Sequence, residues 1–226
     1  MVKAARAVKP PAGVGADVAA AALLKGMTAE FLLRRCFPVQ SGQTILVHAA
    51  AGGVGSILVQ WAKVLGATVI GTVGSEEKAE RVRELGVDHV ILYREQDVAA
   101  EVRRVTGGAG VPVAYDSVGA ATFEATLNSL ARRGLFVSYG NASGPAPAFL
   151  PGRLSQLGSL FLTRPTLFDY VATTEELDAS AAALFDVIAS GRVRIDIGQT
   201  FPLAEAKAAH EALEGRETVG ASLLVP

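Results

Sequence analysis

The residues that most clearly suggest a binding function form a glycine-rich stretch, Ala50 to Gly55. It lies between an apolar run and an amphipathic run. In the dinucleotide-binding pattern G-x-G-x-x-G, Gly52 and Gly55 take the second and third glycine positions, and Ala50 takes the first. The second glycine lets the backbone approach a pyrophosphate, and the third lets the helix pack close to its strand. The helix N-terminus would then attract the anion. The stretch predicts a dinucleotide site, the alternative being a tight turn that binds nothing.

The end of the next apolar run indicates which dinucleotide would bind. Sites for NAD usually place an Asp or Glu there, about 20 residues past the glycines, on the ribose hydroxyls. Residues 70–75 read IGTVGS and contain no acid, which leaves room for a 2′-phosphate. Gly74 and Ser75 could donate to that phosphate, with Lys78 one turn on and Tyr93 closing the pocket. This pattern favours NADP(H).

The basic residues of the following helix have a second interpretation. Lys78 and Arg81 could be a solvated helix face that balances the charges of Glu76, Glu77 and Glu80. Residue by residue, the two interpretations have equal weight. The missing acid at the strand end favours the phosphate site.

The sequence lacks the motifs of several competing chemistries. None of the four tyrosines has a Lys four positions later, as the Tyr-x-x-x-Lys of a short-chain dehydrogenase requires. A G-x-x-x-x-G-K-[ST] phosphate loop and a G-x-S-x-G nucleophile elbow are also missing. One cysteine and three scattered histidines do not predict a metal site, and His48 is expected to be a core residue of a strand.

These motifs lie within a regular alternation of strands and helices. Strands are predicted at 44–49, 68–73, 89–92, 111–115 and 135–139, and helices at 54–65, 75–85, 98–105 and 122–130. Such alternation, with short turn-rich links, predicts a parallel sheet with helices on both faces. The fold class is therefore α/β, a Rossmann-type doubly wound parallel sheet, with a sixth strand at 159–163.

The last part of the chain departs from this rhythm. A capping box at Thr173 to Glu176 predicts a helix that ends near residue 189. Strands are predicted at 193–197 and 221–225, with a helix at 204–213 between them. Neither strand has an evident partner, so this stretch is not expected to be a complete domain.

Composition is typical of a globular protein. Half of the 226 residues are hydrophobic, which is enough for a sizeable core. The balance of 21 Lys and Arg against 22 Asp and Glu argues against a nucleic-acid partner. No apolar run reaches the roughly 18 residues of a membrane span. The single cysteine, Cys36, excludes a disulfide framework and fits a cytoplasmic location.

Six segments in order resemble the zinc-independent quinone oxidoreductases of the medium-chain dehydrogenase/reductase superfamily, the zeta-crystallin-like group. They cover nearly all of the chain: 24–35, 47–80 (with VHAAAGGVGSILVQWAKVLGA), 115–119 (YDSVG), 138–145 (SYGNASGP), 159–173 and 220–226. The resemblance implies NADPH as cofactor and hydride transfer to a quinone or enone without a metal ion. An enoyl-thioester reductase of the same superfamily and a non-catalytic NADPH-binding remnant remain alternatives.

The resemblance also implies which residues contact the cofactor, and it assigns no catalytic residue. The glycine turn would bind the pyrophosphate, the 70–78 segment with Tyr93 the 2′-phosphate, and Ser117 would lie near the adenine side. The nicotinamide half would be contacted by Thr28, Tyr139, Gly140, Asn141, Leu162 and Thr163. Arg216 would approach the cofactor from the C-terminal segment. The full set is Thr28, Ala51, Gly52, Gly53, Val54, Gly74, Ser75, Lys78, Tyr93, Ser117, Tyr139, Gly140, Asn141, Leu162, Thr163 and Arg216.

Members of that family begin with a barrel-like substrate domain, whereas this chain opens on a segment that resembles the exit from it. We therefore expect a remnant of the substrate domain at 1–24, the dinucleotide-binding domain at 25–165, and a return to the substrate domain at 166–226. We expect the chain to be an incomplete protein, which could arise from a natural truncation, a mispredicted start or a cut. We also expect it to reduce quinones poorly. The family further implies a homodimer through 159–163.

Overall fold

A six-stranded parallel sheet forms the centre of the fold. The structure is a computed structural model that describes residues 6–215, 218 and 220–226. The strands are β1 (Thr44–Val47), β2 (Thr68–Val73), β3 (His89–Leu92), β4 (Val111–Asp116), β5 (Leu130–Ser138) and β6 (Phe161–Thr163). They lie in the order β3-β2-β1-β4-β5-β6, all parallel. The predicted doubly wound sheet is confirmed, and its order reverses between β1 and β4, where such folds bind ligands.

Helices cover both faces of the sheet. They are α1 (Ala16–Phe31), α2 (Gly53–Val64), α3 (Glu76–Glu84), α4 (Val98–Val105), α5 (Phe123–Ser129), α6 (Gly152–Gln156), α7 (Leu167–Tyr170), α8 (Thr174–Ala189) and α9 (Ala206–Glu214). The predicted caps are present: the Ser75 side chain accepts from Lys78 N at the start of α3, and Thr173 forms a capping box with Glu176. No helix among the described residues is long and apolar enough to cross a membrane.

Helix α1 carries no strong sequence signal, and the pattern analysis missed it. Its buried residues are spread around the helix, because one side packs on α2 and another on α8. A helix buried on several sides loses the single apolar stripe by which helices are recognised. The proposed boundary between residues 24 and 25 falls inside α1, and the division into three regions stays a prediction.

Side chains of β1 alternate between two cores, one on each face of the sheet. Ile45 and Val47 of β1 point into the larger core, which includes α1, α2 and α8. Leu46, between them, points into the core formed with α4 and α5. This alternation is the period-two geometry of a strand buried on both faces.

The C-terminal segment differs from the prediction in two ways. The strand expected at 193–197 is wrong, since β7 covers Ile197–Pro202. The backbone of Arg194 instead bonds to a side chain: its N–H donates to Gln60 Oε1 (2.9 Å), and its carbonyl accepts from Gln60 Nε2 (3.0 Å). The strands are also not unpaired, because β7 pairs in parallel with β8 (Ala221–Val225) across α9. The helix predicted between these strands is α9, and it forms the crossover connection that a parallel pair of strands needs.

Candidate dinucleotide-binding site

The glycine turn after β1 has the close contacts that its sequence predicts. Ala49 adopts a left-handed φ of +51°, and the N–H of Ala50 donates to Thr72 O of β2 (3.1 Å). A Cβ added to Gly55 would lie 2.3 Å from Ala49 O, so only glycine fits there. A Cβ on Gly52 would lie 3.1 Å from the same oxygen. Both glycines let α2 begin immediately behind the end of β1.

The N-terminus of α2 offers an anion site at the switch point of the sheet. Gly52 is its N-cap, and no side chain caps the helix. The first N–H groups of a helix have no intrahelical acceptor, and they carry a positive partial charge. Gly52 is exposed, and Gly53 and Val54 are half-buried. The predicted stretch Ala51 to Val54 therefore lies at the uncapped start of α2, where a pyrophosphate would fit, although the Gly52 N–H itself donates to Ala49 O (2.8 Å).

The four residues predicted for the 2′-phosphate lie at one corner of the sheet. Tyr93 follows β3, and its N–H donates to Val73 O at the end of β2 (3.1 Å). Its hydroxyl oxygen covers Gly74, where an added Cβ would be only 2.7 Å away. Ser75 and Lys78 begin the adjacent helix α3. The structure thus brings Gly74, Ser75, Lys78 and Tyr93 together.

The second cation of this region is engaged elsewhere. Arg81 Nη2 donates to Asp196 Oδ2 at 2.8 Å and ties α3 to the segment before β7. Glu76, which the alternative interpretation placed opposite these cations, bonds to Arg83 instead (2.7 Å). Among the described residues, the Lys78 ammonium has no hydrogen bond or ion pair. Lys78 is therefore a cation of α3 that is free to meet a phosphate at this corner.

A cavity of about 440 Å³ adjoins the same corner. Of its lining residues, only Tyr93 is among the cofactor contacts predicted from the sequence. The cavity lies beside α4 and α5 at the carboxyl ends of β2, β3 and β4, and its volume is typical of a small-molecule site. Ser117, expected near the adenine, is not in the lining, but its neighbour Val118 is. The lining includes Tyr93, Gln96, Val98, Val118, Ala125 and Asn128.

A buried polar network fixes the loop beside this cavity. The carboxylate of Asp116 accepts from the N–H groups of Val118 (2.6 Å) and Gly119 (3.1 Å), and from the hydroxyls of Thr122 (2.7 Å) and Thr126 (3.0 Å). Four donors satisfy a carboxylate that is fully buried. The network therefore holds the turn after β4 in one conformation.

The loops after β4 and β5 pack directly on each other and bring three predicted residues together. A Cβ on Gly140 would lie 2.5 Å from Ser117 O, and the N–H of Ala142 donates to that oxygen (3.1 Å). Asn141 is exposed, and its carbonyl accepts from Gly144 N (3.0 Å). Glycine at position 140 is thus required by the close approach of the two loops.

A second cavity, of about 240 Å³, collects two residues assigned to the nicotinamide half. Thr28 of α1 and Tyr139 after β5 both line it, together with Phe31, Arg164, Pro165, Thr166 and Leu167. The Tyr139 hydroxyl is buried and has no hydrogen bond of ordinary geometry within the described residues. Burial raises the pKa of Tyr139 to about 12, against a smaller opposing effect of the Ser117 hydroxyl. The phenol is therefore protonated near neutral pH, with the Ser117 hydroxyl as a neighbouring polar group.

The remaining predicted contacts are not brought into this cavity. Leu162 and Thr163 lie on β6 beside Phe136 and Val137, and the Leu162 side chain packs into the core on the α5 face. Arg216 lies outside the described residues. Among the described residues, no three His, Cys, Asp or Glu side chains are grouped so that they could hold a metal ion.

Known proteins of one family are similar to this chain over its whole length. A family model described as zinc-binding dehydrogenase matches residues 53–186. The quinone oxidoreductase of Salmonella typhimurium is 49% identical over 227 residues, which cover 100% of this chain and 69% of that protein. A 2-haloacrylate reductase from a Burkholderia species is 49% identical over 205 residues, with 90% and 62% covered.

A solved structure agrees with this relationship. The quinone oxidoreductase of Escherichia coli in complex with NADPH is 48% identical and superposes with a TM-score of 0.96, covering 99% of this chain and 69% of that one. The chain thus spans about two thirds of the length of its relatives. On sequence identity and fold, the chain belongs to the quinone oxidoreductases of the medium-chain dehydrogenase/reductase superfamily, a family of oxidoreductase enzymes.

Proposed function

We propose that this chain binds NADPH along the carboxyl edge of the sheet and serves the transfer of its hydride to a quinone. The observation that carries the cofactor preference is the corner at the end of β2. No acid stands at residues 70–75, and Lys78, whose ammonium has no partner among the described residues, lies in the first turn of α3, where its backbone N–H donates to Ser75 Oγ. A dinucleotide without the 2′-phosphate would leave this cation unpaired.

The chain's own residues have distinct tasks in this proposal. The backbone donors at the start of α2 hold the pyrophosphate, and the cavity beside Tyr93 takes the adenosine. Bound NADPH supplies the hydride at its nicotinamide ring. Thr28 and Tyr139 orient that ring in the second cavity, since both line it and the Tyr139 hydroxyl has a proton to donate.

The site favours positioning over acid–base catalysis. Its phenol, with a pKa of about 12, stays protonated near neutral pH and cannot act as a base there. It can instead donate a hydrogen bond to a carboxamide or carbonyl oxygen. Holding the reactants in contact and excluding water can account for a large part of the rate of a hydride transfer.

A second candidate is reduction of a carbon–carbon double bond conjugated to a carbonyl group. The relative from Burkholderia, at 49% identity, is named for the reduction of such a compound, a 2-haloacrylate. The same hydride could add to the β-carbon of an enoyl thioester. In both reactions the acceptor must lie against the nicotinamide, so the two share one site.

A two-stage experiment tests the proposal. NADPH and NADH are first titrated against the unmodified chain by fluorescence, and NADPH should bind at least tenfold more tightly. Turnover is then measured as NADPH oxidation with 1,4-benzoquinone, 2-chloroacrylate and an enoyl thioester, corrected for the uncatalysed rate. Quinone-dependent turnover supports the first function, and turnover with only the other two supports the second. NADPH binding without any turnover indicates a nucleotide-binding chain that does not catalyse.

A homodimer through strand β6 is also proposed. Strand β6 pairs with β5 on one side only, so its other edge carries unpaired backbone groups within the described part of the chain. Phe161 on this edge is 61% exposed. Antiparallel pairing of β6 with its counterpart in a second copy would satisfy these groups and cover the ring.

We also infer a cytoplasmic location. Cys36 is a free cysteine with no second cysteine to pair with, which suits a reducing compartment. Fractionation of cells into cytoplasmic and periplasmic extracts, followed by immunodetection of the chain, tests this inference.

A further inference from the structure

We propose that Lys25 is a ligand of the dinucleotide pyrophosphate, and that position 53 is glycine to make room for its side chain. The proposal rests on the proposed binding of NADPH and adds to it a cation that no motif indicates. In the fingerprint G-x-G-x-x-G, position 53 is one of the variable positions. A glycine there needs a separate reason.

The contact between Lys25 and Gly53 supplies that reason. A Cβ added to Gly53 would lie 2.9 Å from Cδ and from Cε of Lys25, and 3.1 Å from its Nζ. The lysine stem therefore runs across the first residue of α2. Any larger residue at position 53 would displace it.

The packing of α1 leaves Lys25 little freedom to be elsewhere. Helix α1 lies against α2 and α8. At the next residue, Gly26, an added Cβ would lie 2.3 Å from Leu184 Cδ1 of α8. This close approach fixes the depth and rotation of α1, and with them the direction of Lys25 toward the N-terminus of α2.

The position is unfavourable for a cation in the unliganded chain. The N-terminus of α2 carries positive partial charge, which repels an ammonium group. Burial also lowers the pKa of Lys25, and it is the one influence on that pKa. Within the described residues, Lys25 has no hydrogen bond or ion pair. A diphosphate bound at the start of α2 would reverse each of these costs, because it brings two negative charges to the ammonium and to the helix.

The experiment uses the difference between the two cofactors. Both dinucleotides carry the pyrophosphate, whereas only NADPH carries the 2′-phosphate. Lys25→Met should therefore weaken NADPH and NADH by the same factor, at least fivefold, and leave their ratio unchanged. Lys78→Met should weaken NADPH alone. Lys25→Arg should retain most of the affinity, and Lys207→Met, at an exposed position on α9, serves as the matched control.

Two further measurements separate a ligand role from a structural role. The unliganded Lys25→Met chain should unfold at the same temperature as the unmodified chain or higher, since a desolvated cation is removed. Gly53→Ala should weaken both cofactors in the same way by displacing the lysine stem. A drop in unfolding temperature for Lys25→Met together with unchanged affinities would overturn the proposal.

Other outcomes are equally decisive. Unchanged binding of both dinucleotides by Lys25→Met, or a loss confined to NADPH, would also overturn it. If the unmodified chain binds neither dinucleotide, the proposed function fails, and inorganic pyrophosphate then becomes the probe. Its binding needs only the start of α2 and Lys25, so weaker binding by Lys25→Met would support the inference and no binding by the unmodified chain would overturn it.

Discussion

A single hydroxyl group joins His48 to Asp116. The Thr126 oxygen lies 3.0 Å from His48 Nε2 and 3.0 Å from Asp116 Oδ2, and all three residues are fully buried. On the other side of the ring, His48 Nδ1 lies 3.1 Å from the Thr72 hydroxyl oxygen, so each ring nitrogen contacts a threonine hydroxyl. The neutral imidazole thereby connects the ends of β1, β2 and β4, from which the site is built.

Thr126→Val should destabilise the protein by about 2–4 kcal/mol. The change removes a hydroxyl that lies 3.0 Å from both a buried carboxylate oxygen and a buried imidazole nitrogen, and each buried polar group left without its hydrogen-bond partner costs roughly 1–3 kcal/mol. Urea unfolding measures the free energy. Thr200→Val, at an exposed position of β7, should change it by less than about 0.5 kcal/mol. A cost at position 126 no larger than this control would contradict the network.

Because of His48, the free energy of unfolding should fall as the pH drops below about 6.5, the pKa of an unfolded histidine. Burial lowers the pKa of His48 against an opposing effect of Asp116, whereas an unfolded histidine titrates near 6.5. Between the two values the unfolded chain binds a proton that the folded chain does not. The stabilisation is therefore complete above about pH 6.5 and is lost toward lower pH, by up to about 1.4 kcal/mol per pH unit.

Unfolding free energies between pH 7.5 and pH 5, a window set by that reference value, test this prediction. His48→Gln should flatten the curve. His210→Gln, at an exposed position of α9, should leave its shape as it is. A curve for His48→Gln that is as steep as that of the unmodified chain would assign the pH dependence to other groups.

Lys78→Ala should remove most of the preference for NADPH. One or two charge-assisted contacts to the 2′-phosphate are worth about 1.5–3 kcal/mol each, which corresponds to at least tenfold in affinity. Titration of both cofactors against the variant should give nearly equal dissociation constants, with the NADH value unchanged. Lys207→Ala is the control. Equal affinities in the unmodified chain would refute the assignment of the β2 end to the phosphate.

Phe161→Asp should convert the proposed dimer into a monomer. A charge on the β6 edge disfavours strand pairing between copies and removes the exposed ring. Sedimentation velocity at micromolar concentration gives the oligomeric state. Leu213→Asp, at a 55% exposed position on α9, should not change it. A monomeric unmodified chain would count against the interface.

Much of the fold follows from local sequence. The apolar runs and helical patterns between residues 44 and 138 predict the strands and helices of the sheet, including the Ser75 cap, although β5 begins at Leu130 and not at residue 135. Glycine spacing predicts the turn at Gly52 and Gly55, because these requirements are set by neighbours a few residues away. The missing acid at 70–75 is likewise visible without coordinates.

The tertiary structure decided what depends on contacts between distant segments. The side chain of Gln60 holds the backbone at Arg194, so residues 193–197, whose apolar residues alternate as in a strand, do not form one. Helix α1 is packed on several sides, which hides it from pattern analysis and places Lys25 on Gly53. Such contacts join residues that are tens of positions apart, so sequence periodicity, which reports only local geometry, carries no trace of them.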